Sequence, residues 1–186
     1  MALWIVIGVV ALLILWIIGM YNGMVSAKIK IDNAWSDISV FLKKRFDLIP
    51  NLVNTVKGYA AHESQTLEKV VQARNAAVAV PAGDVAGMAA ANQQLGGALR
   101  GLLAIAESYP DLKANAQFLE LQTALQNIEG DLGNARRYYN ATVRDFNTTI
   151  QQFPGVLVAN MTGFKAREFF ELEDKEEAKN KKKEVA

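Results

Sequence analysis

Residues 3–20 of the chain read LWIVIGVVALLILWIIGM, and this stretch decides the architecture of the protein. No charged side chain occurs from Met1 to Ala27, and twelve of the 18 quoted residues are Leu, Ile or Val. A helix of this length is about 30 Å long, which is the thickness of the hydrocarbon core of a bilayer. We therefore predict a membrane-spanning anchor over residues 1–21, with side chains in the lipid at Leu3, Trp4, Ile5, Leu12, Trp16, Ile18 and Met20.

The flanks of the apolar stretch bear on whether it is retained and on its orientation. Val25-Ser26-Ala27 has the small residues of a signal-peptidase site, but no basic segment precedes the apolar run, which exceeds the roughly 7–15 residues of a signal core. We therefore expect a retained anchor. Lys28 and Lys30 follow the span and no Lys or Arg precedes it, so the positive-inside rule favours an external N-terminus and a cytoplasmic body.

The rest of the chain has the periodicity of amphipathic helices, with apolar residues at three- and four-residue steps. These apolar stripes, together with the positions of the prolines, predict four helices, over residues 21–49, 50–78, 85–109 and 110–152. Pro50 and Pro110 suit the first turn of a helix, and Asp84 suits an N-cap. We predict an all-α fold, in which an antiparallel up-and-down four-helix bundle over residues 22–164 follows the N-terminal transmembrane helix. The charged segment 165–186 is predicted to be a largely disordered tail.

The predicted fourth helix is longer than the second and third, so part of its apolar stripe extends beyond them. With alternating helix directions this part returns towards the membrane. Its cover would come from the first helix near the membrane, from residues 156–164, or from another copy of the chain. Its cationic side chains would either meet lipid headgroups or be solvated. The candidate interaction or lipid-facing residues are Arg136, Arg137, Arg144, Phe146, Ile150 and Phe153.

The sequence offers few groups for chemistry. The net charge of +1 gives no electrostatic basis for binding nucleic acid, and the absence of cysteine excludes disulfides and thiolate sites. The single histidine lacks the second histidine of a zincin-like motif, and no phosphate-binding loop, G-x-S-x-G or dinucleotide motif occurs. We therefore predict no catalytic residue, no metal and no cofactor.

One candidate polar cluster stands out, because Glu63 and Arg74 fall on the second apolar stripe and His62 is adjacent. The two charged side chains either reach solvent at the edge of the stripe or form a buried ion pair or a polar ligand contact. The cluster consists of His62, Glu63 and Arg74.

The chain contains a set of short segments that read YN at 21–22, NAWSDI at 33–38, LKKR at 42–45, DLIPNLV at 47–53, TVKGYAAHE at 55–63, AR at 73–74, AESYPDLKA at 106–114, ARRYYN at 135–140 and FP at 153–154. Taken together, these segments resemble the bacterial LemA family. The resemblance covers about residues 21–170. It implies a bacterial membrane protein with one N-terminal span and an antiparallel helical bundle, in a family without an established enzymatic activity. Because a magnetosome-membrane protein belongs to the same family, the resemblance also points to membrane organisation.

These observations support three hypotheses. The first is a scaffold of the bacterial inner membrane that binds itself, other proteins or the adjacent lipid. The second is an adaptor or regulator of a membrane protease or transporter. The third is a ligand-binding or hydrolytic bundle that uses the polar cluster. The expected partners are membrane lipid and either further copies of the chain or another membrane protein, and nucleic acid is not expected.

Overall fold

The computed structural model describes residues 1–170, which contain helices and no strand, so the predicted all-α class is confirmed. The helices are α1 (Ala2–Tyr59), α2 (Ser64–Val78), α3 (Val85–Glu107), α4 (Pro110–Lys113), α5 (Ala116–Gln151) and α6 (Gly155–Thr162). The part of the predicted tail at residues 171–186 lies outside the described residues.

α1 is one helix of 58 residues, which joins the predicted anchor, the predicted helix over residues 21–49 and the first ten residues of the helix predicted from residue 50. We expected a break at Pro50, but the helix continues through it and ends at Tyr59. A proline inside a helix removes one backbone hydrogen bond and crowds the preceding turn. Here Pro50 is exposed, while Ile49, Leu52 and Val56 on its two sides are buried. Burial of apolar side chains before and after the proline offsets that loss, so the prediction of a break was wrong.

The first part of α1 is exposed along its whole length. Every residue from Met1 to Gly19 is exposed, and within residues 1–170 α1 is the one helix long and apolar enough to cross a membrane. Of the predicted lipid-facing residues, Met20 is half-buried and the other six are exposed. Full burial begins at Met24, about one turn further along the same helix. The chain therefore carries an N-terminal apolar helix that fits a membrane anchor.

The chain divides into two compact units, each with its own core. Unit 1 comprises Met1–Ile38 and Ala135–Glu168. Its core side chains include Met24, Ile31, Ile38, Tyr139, Val143, Phe146, Ile150 and Val158. Unit 2 comprises Ser39–Asn134 together with Phe169 and Phe170. Its core side chains include Leu42, Ile49, Leu52, Val56, Val70, Leu95, Leu102, Leu112 and Phe118.

The helix ends in unit 2 follow local capping signals. The carboxylate of Asp84 accepts a hydrogen bond from the backbone N–H of Gly87 at 2.8 Å and caps α3, as predicted. The predicted fourth helix is divided into α4 and α5. The side-chain oxygen of Asn115 accepts a hydrogen bond from the backbone N–H of Phe118 at 2.9 Å. The bond satisfies a backbone N–H in the first turn of α5 that has no partner within the helix, so α5 begins directly after Asn115.

Candidate functional site

The three residues of the predicted polar cluster do not form one site. His62 is exposed in the turn between α1 and α2. The Oε1 atom of Glu63 accepts a long hydrogen bond of 3.5 Å from the hydroxyl of Tyr109. The Nε atom of Arg74 donates to the backbone oxygen of Phe46 at 3.3 Å. Glu63 and Arg74 therefore have separate partners, and the ion pair considered for them does not form in the described part of the chain.

A buried charge that was not predicted lies in unit 2 at Arg45, which is 3% exposed. Its Nη1 atom donates to the side-chain oxygen of Asn92 on α3, and its Nη2 atom lies 2.7 Å from Oε1 of Glu129 on α5. Gly96 follows Asn92 by one turn, and a Cβ atom placed on it would be 3.6 Å from Nη2. The guanidinium therefore links α1, α3 and α5.

The surroundings of Arg45 favour a structural role for its charge. Burial lowers its pKa, the carboxylate of Glu129 opposes that shift, and Arg100 adds to it. A buried cation of this kind fixes the register of helices more than it adds to stability. The sequence does contain a signal for it, because Ile38, Arg45 and Leu52 are seven residues apart. This heptad spacing places Arg45 on the buried stripe of α1.

Tyr139 is the centre of a contact region in unit 1. Its ring centroid lies 5.6 Å from that of Trp35 on α1, and its hydroxyl donates to the backbone oxygen of Glu168 at 2.9 Å. Burial raises the pKa of Tyr139, Arg167 acts in the opposite direction, and Glu168 and Asp32 raise it further. The phenol therefore stays protonated at neutral pH and donates to the segment that follows α6.

A second residue of α5 holds the same segment. The Nδ2 atom of Asn147 donates to the backbone oxygen of Arg167 at 2.9 Å, and its Oδ1 atom accepts from the backbone N–H of Arg167 at 2.8 Å. The guanidinium of Arg167 also pairs with Asp32 on α1. Residues 167 and 168 fall in the predicted charged tail over residues 165–186, and they are bound to helices of unit 1. The two hydrogen bonds of Asn147 satisfy backbone groups that would otherwise need water.

The six predicted interaction residues fall into two groups. Four of them are exposed, namely Arg136, Arg137, Arg144 and Phe153. Phe146 and Ile150 are buried in the core of unit 1, and the ring centroid of Phe146 lies 6.0 Å from that of Phe164. The apolar stripe of α5 is therefore covered at these two positions by the chain itself. Phe146 and Ile150 therefore do not face lipid, and the contact with Phe164 corresponds to one of the three covers considered for this stripe, the one by residues 156–164.

α6 has apolar side chains on two opposite faces. Gly155, Val158 and Ala159 form a buried face. Leu157 and Met161, one turn apart, lie on the other face and are 54% and 78% exposed. A short helix that is apolar on both faces is unusual at a surface in contact with water.

Two contacts locate α6 next to α1 within unit 1. A Cβ atom on Gly155 would lie 2.1 Å from the backbone oxygen of Thr149 and 3.3 Å from the Cε atom of Met24, so only glycine fits there. The ring centroid of Phe164, just after α6, lies 5.8 Å from that of Tyr21. α6 therefore lies beside the part of α1 that directly follows the apolar segment.

Unit 2 has a surface groove of about 380 Å³ between α1 and α2. Val53, Leu67 and Val71 contribute to its mostly apolar lining, together with the exposed Lys57. His62 does not line the groove, so the groove and the predicted polar cluster are separate features. Within residues 1–170, no group of three or more His, Asp or Glu side chains is placed to hold a metal ion.

Similar proteins come from bacteria. Magnetosome protein MamQ 2 of Paramagnetospirillum magneticum is 27% identical over 175 residues, which cover 81% of this chain and 64% of the relative. Magnetosome protein MamQ of Magnetospirillum gryphiswaldense is 28% identical over 174 residues, with the same coverage of 81% and 64%. Protein LemA of Metamycoplasma hominis is 28% identical over 137 residues, which cover 73% of this chain and 62% of the relative. The chain thus spans less than two-thirds of the length of these relatives.

The family assignment rests on a match over most of the chain. The model of the LemA family matches residues 34–185, which include the second half of α1 and all later helices. The match agrees with the resemblance noted in the sequence motifs. The chain therefore belongs to the LemA family.

Proposed function

We propose that this chain is a single-pass scaffold of the bacterial inner membrane that presents a helical body to protein partners. In this proposal no residue carries out a chemical step. The continuity of α1 carries this proposal. The apolar segment and the buried residues Met24, Ile31 and Ile38 belong to one helix, so no flexible linker separates the anchor from the packed part of unit 1. A helix transmits both orientation and distance, and unit 1 is therefore held in a fixed position at the membrane surface.

We propose an antiparallel up-and-down arrangement for the four helices that meet in unit 2, namely α1, α2, α3 and α5. Arg45 of α1 contacts Glu129, and Tyr59, later on α1, accepts a hydrogen bond at 2.9 Å from Asn115 before α5. Residue numbers thus fall along α5 as they rise along α1, which supports opposite directions for the two helices. α2 and α3 are joined by the short turn before Asp84, which also supports opposite directions.

The proposal places the helical body in the cytoplasm, because Lys28 and Lys30 follow the apolar segment. The natural chain has no cysteine, so an introduced thiol reports its own side of the membrane. A thiol from Ser36→Cys, at an exposed position, should react with a membrane-impermeant maleimide only after cells are lysed. Ala2→Cys is the matched control and should react in intact cells. Labelling of the Ser36→Cys protein in intact cells would show the opposite topology, with the helical body outside the cytoplasm.

Self-association is the partner interaction that the exposed surface of unit 1 supports. Ile29 is an exposed large apolar residue on α1, directly after the membrane segment and between Lys28 and Lys30. Contact with a second copy of the chain would remove this side chain from water, which lowers the free energy. Two of the similar proteins are magnetosome proteins, and this similarity favours a role in organising a membrane.

Cross-linking in native membranes tests this role. Ile29→Cys should give disulfide-linked dimers on mild oxidation. Lys30→Cys is equally exposed and close to the membrane but points about 100° away around the helix, and it should give fewer dimers. Monomers alone with both variants would contradict self-association. If a different membrane protein co-purified in stoichiometric amount, the adaptor hypothesis would replace it.

A further inference from the structure

The exposed face of α6 is the feature of the described chain that the scaffold role does not use. Leu157 and Met161, one turn apart on this face, are 54% and 78% exposed, and Phe153 in the turn before α6 is 80% exposed. The opposite face of α6 is buried in unit 1 through Val158 and Ala159. α6 is therefore fixed in position while it presents large apolar side chains outward.

The position of α6 along α1 indicates what covers this face. Gly155 at the start of α6 lies against Met24, and Phe164 after its end lies against Tyr21. Met24 is only four residues past Met20, a distance of about 6 Å along the helix. A bilayer that surrounds the apolar segment thus brings its headgroup region to the level of α6.

We propose that α6 is a second membrane contact, in which its outward side chains Leu157 and Met161, together with Phe153 in the turn before it, enter the boundary between lipid headgroups and acyl chains beside the transmembrane helix. The inference rests on the proposed anchoring of α1. Large apolar side chains on one face of a short helix bind in this region of a bilayer. Lys165 is exposed directly after Phe164, where it can meet lipid phosphate.

A lipid surface explains this face better than a second copy of the chain does. The apolar segment of α1 already requires a bilayer within about one helical turn of Met24, so lipid reaches α6 without any further assembly. Two contacts with the membrane, one by α1 and one by α6, also prevent unit 1 from rotating about the axis of the transmembrane helix. The proposed scaffold would then face its partners in one direction within the membrane plane.

Depth-dependent fluorescence quenching tests the proposal on the full-length chain. Single cysteines at Leu157 and Met161 are labelled with the environment-sensitive dye NBD, and the protein is reconstituted in vesicles of phosphatidylethanolamine and phosphatidylglycerol. The quencher is a doxyl group near the headgroup or deep in the acyl chain of the lipid. Tyr138→Cys is the matched control, because Tyr138 is also a large exposed side chain of unit 1, 56% exposed. It neighbours Tyr139, which contacts Trp35, about 16 Å further along α1 than Met24.

The dye at Leu157 and Met161 should be quenched about twofold more strongly by the shallow than by the deep lipid quencher, while the dye at Tyr138 should respond to aqueous iodide alone. Iodide quenching at Leu157 and Met161 without lipid quenching would overturn the proposal. A dye protected from both quenchers, with disulfide dimers through the same cysteines, would assign this face to a second copy and would also overturn it.

A label at Leu12 separates this inference from the anchoring on which it rests. Leu12 lies in the middle of the apolar segment and should be quenched by the deep quencher. If Leu12 behaves in this way and Leu157 does not, the anchor stands and the second contact is wrong. If Leu12 is open to iodide, the anchoring itself fails, and the proposed contact of α6 fails with it.

Discussion

The Nη2 atom of Arg45 on α1 lies 2.7 Å from the Oε1 atom of Glu129 on α5. The guanidinium is buried, whereas the side chain of Glu129 is 44% exposed, so one end of the pair is solvated. The ion pair therefore joins the core of unit 2 to its surface. Because a buried ion pair adds little net stability, we expect its main consequence to be geometric, namely that it favours the observed register of the two helices.

Substitution of Arg45 should separate the effect of its volume from that of its charge. Arg45→Ala leaves a cavity and should destabilise the chain by about 3 kcal/mol. Arg45→Met fills the space with an apolar side chain, and its cost should stay within about 1 kcal/mol. Thermal unfolding of the full-length chain in detergent, followed by circular dichroism, measures both. Equal losses for the two variants would show that the charge itself, and not the packing, is required.

The buried phenol of Tyr139 should make the stability of unit 1 sensitive to alkaline pH. Burial raises its pKa in the folded chain, so its contribution is complete below the unfolded value of about 10 and is lost as pH rises through the folded value. Tyr139→Phe should lower stability by about 1 kcal/mol at neutral pH, because the hydrogen bond to Glu168 is lost. The variant should also show a smaller fall in melting temperature as pH rises above about 10. Tyr138→Phe, at an exposed position, is the control and should behave as the natural chain does.

Gly155 should not tolerate a side chain, since a Cβ atom there would lie 2.1 Å from the backbone oxygen of Thr149. Gly155→Ala should destabilise the chain by about 1–3 kcal/mol, because backbone atoms would have to move. A Cβ atom on Gly130 of α5 would have open space around it, so Gly130→Ala should be neutral or stabilising by up to about 1 kcal/mol. Thermal unfolding of the two variants tests the difference. A stable Gly155→Ala protein would mean that α6 can move away from α5 without loss.

Truncation of Phe146 should destabilise the chain strongly, whereas truncation of Phe153, seven residues later, should have little effect. Phe146 is 1% exposed, and Phe146→Ala should cost about 3–5 kcal/mol. Phe153 is 80% exposed, and Phe153→Ala should change unfolding in detergent by less than about 0.5 kcal/mol. The two melting temperatures provide the comparison. A large loss for Phe153→Ala would indicate that this side chain packs against the protein.

The features that the sequence predicted well depend on local pattern. The apolar run before Met24, the stripe of α1 and the cap of α3 at Asp84 each follow from residues close together in the chain. Pro50 was misread because a local signal for a break was outweighed by burial on both sides of it. The periodicity says which face of a helix is apolar, but it does not say what covers that face, and so the sequence left three possible covers open for Phe146.

The parts of the candidate site that were missed depend on distant contacts. Arg45 has the spacing of a core residue, yet its charge excluded it from the apolar stripe until its partners on α3 and α5 were known. Asn147 holds residue 167 through backbone hydrogen bonds, which leave no periodic pattern in either segment. Conversely, Glu63 and Arg74 share the predicted second apolar stripe, but their side chains have different neighbours.

Because α1 is continuous from its apolar segment to Met24, it also sets the rotation of the packed part of unit 1 about the axis of the anchor. Each residue turns a helix by about 100° and lengthens it by about 1.5 Å. One residue inserted after Met20 would therefore swing unit 1 by more than a quarter of a revolution about the anchor while barely changing its height. The direction that unit 1 faces among its neighbours is thus encoded in the number of residues at this junction, independently of which residues they are.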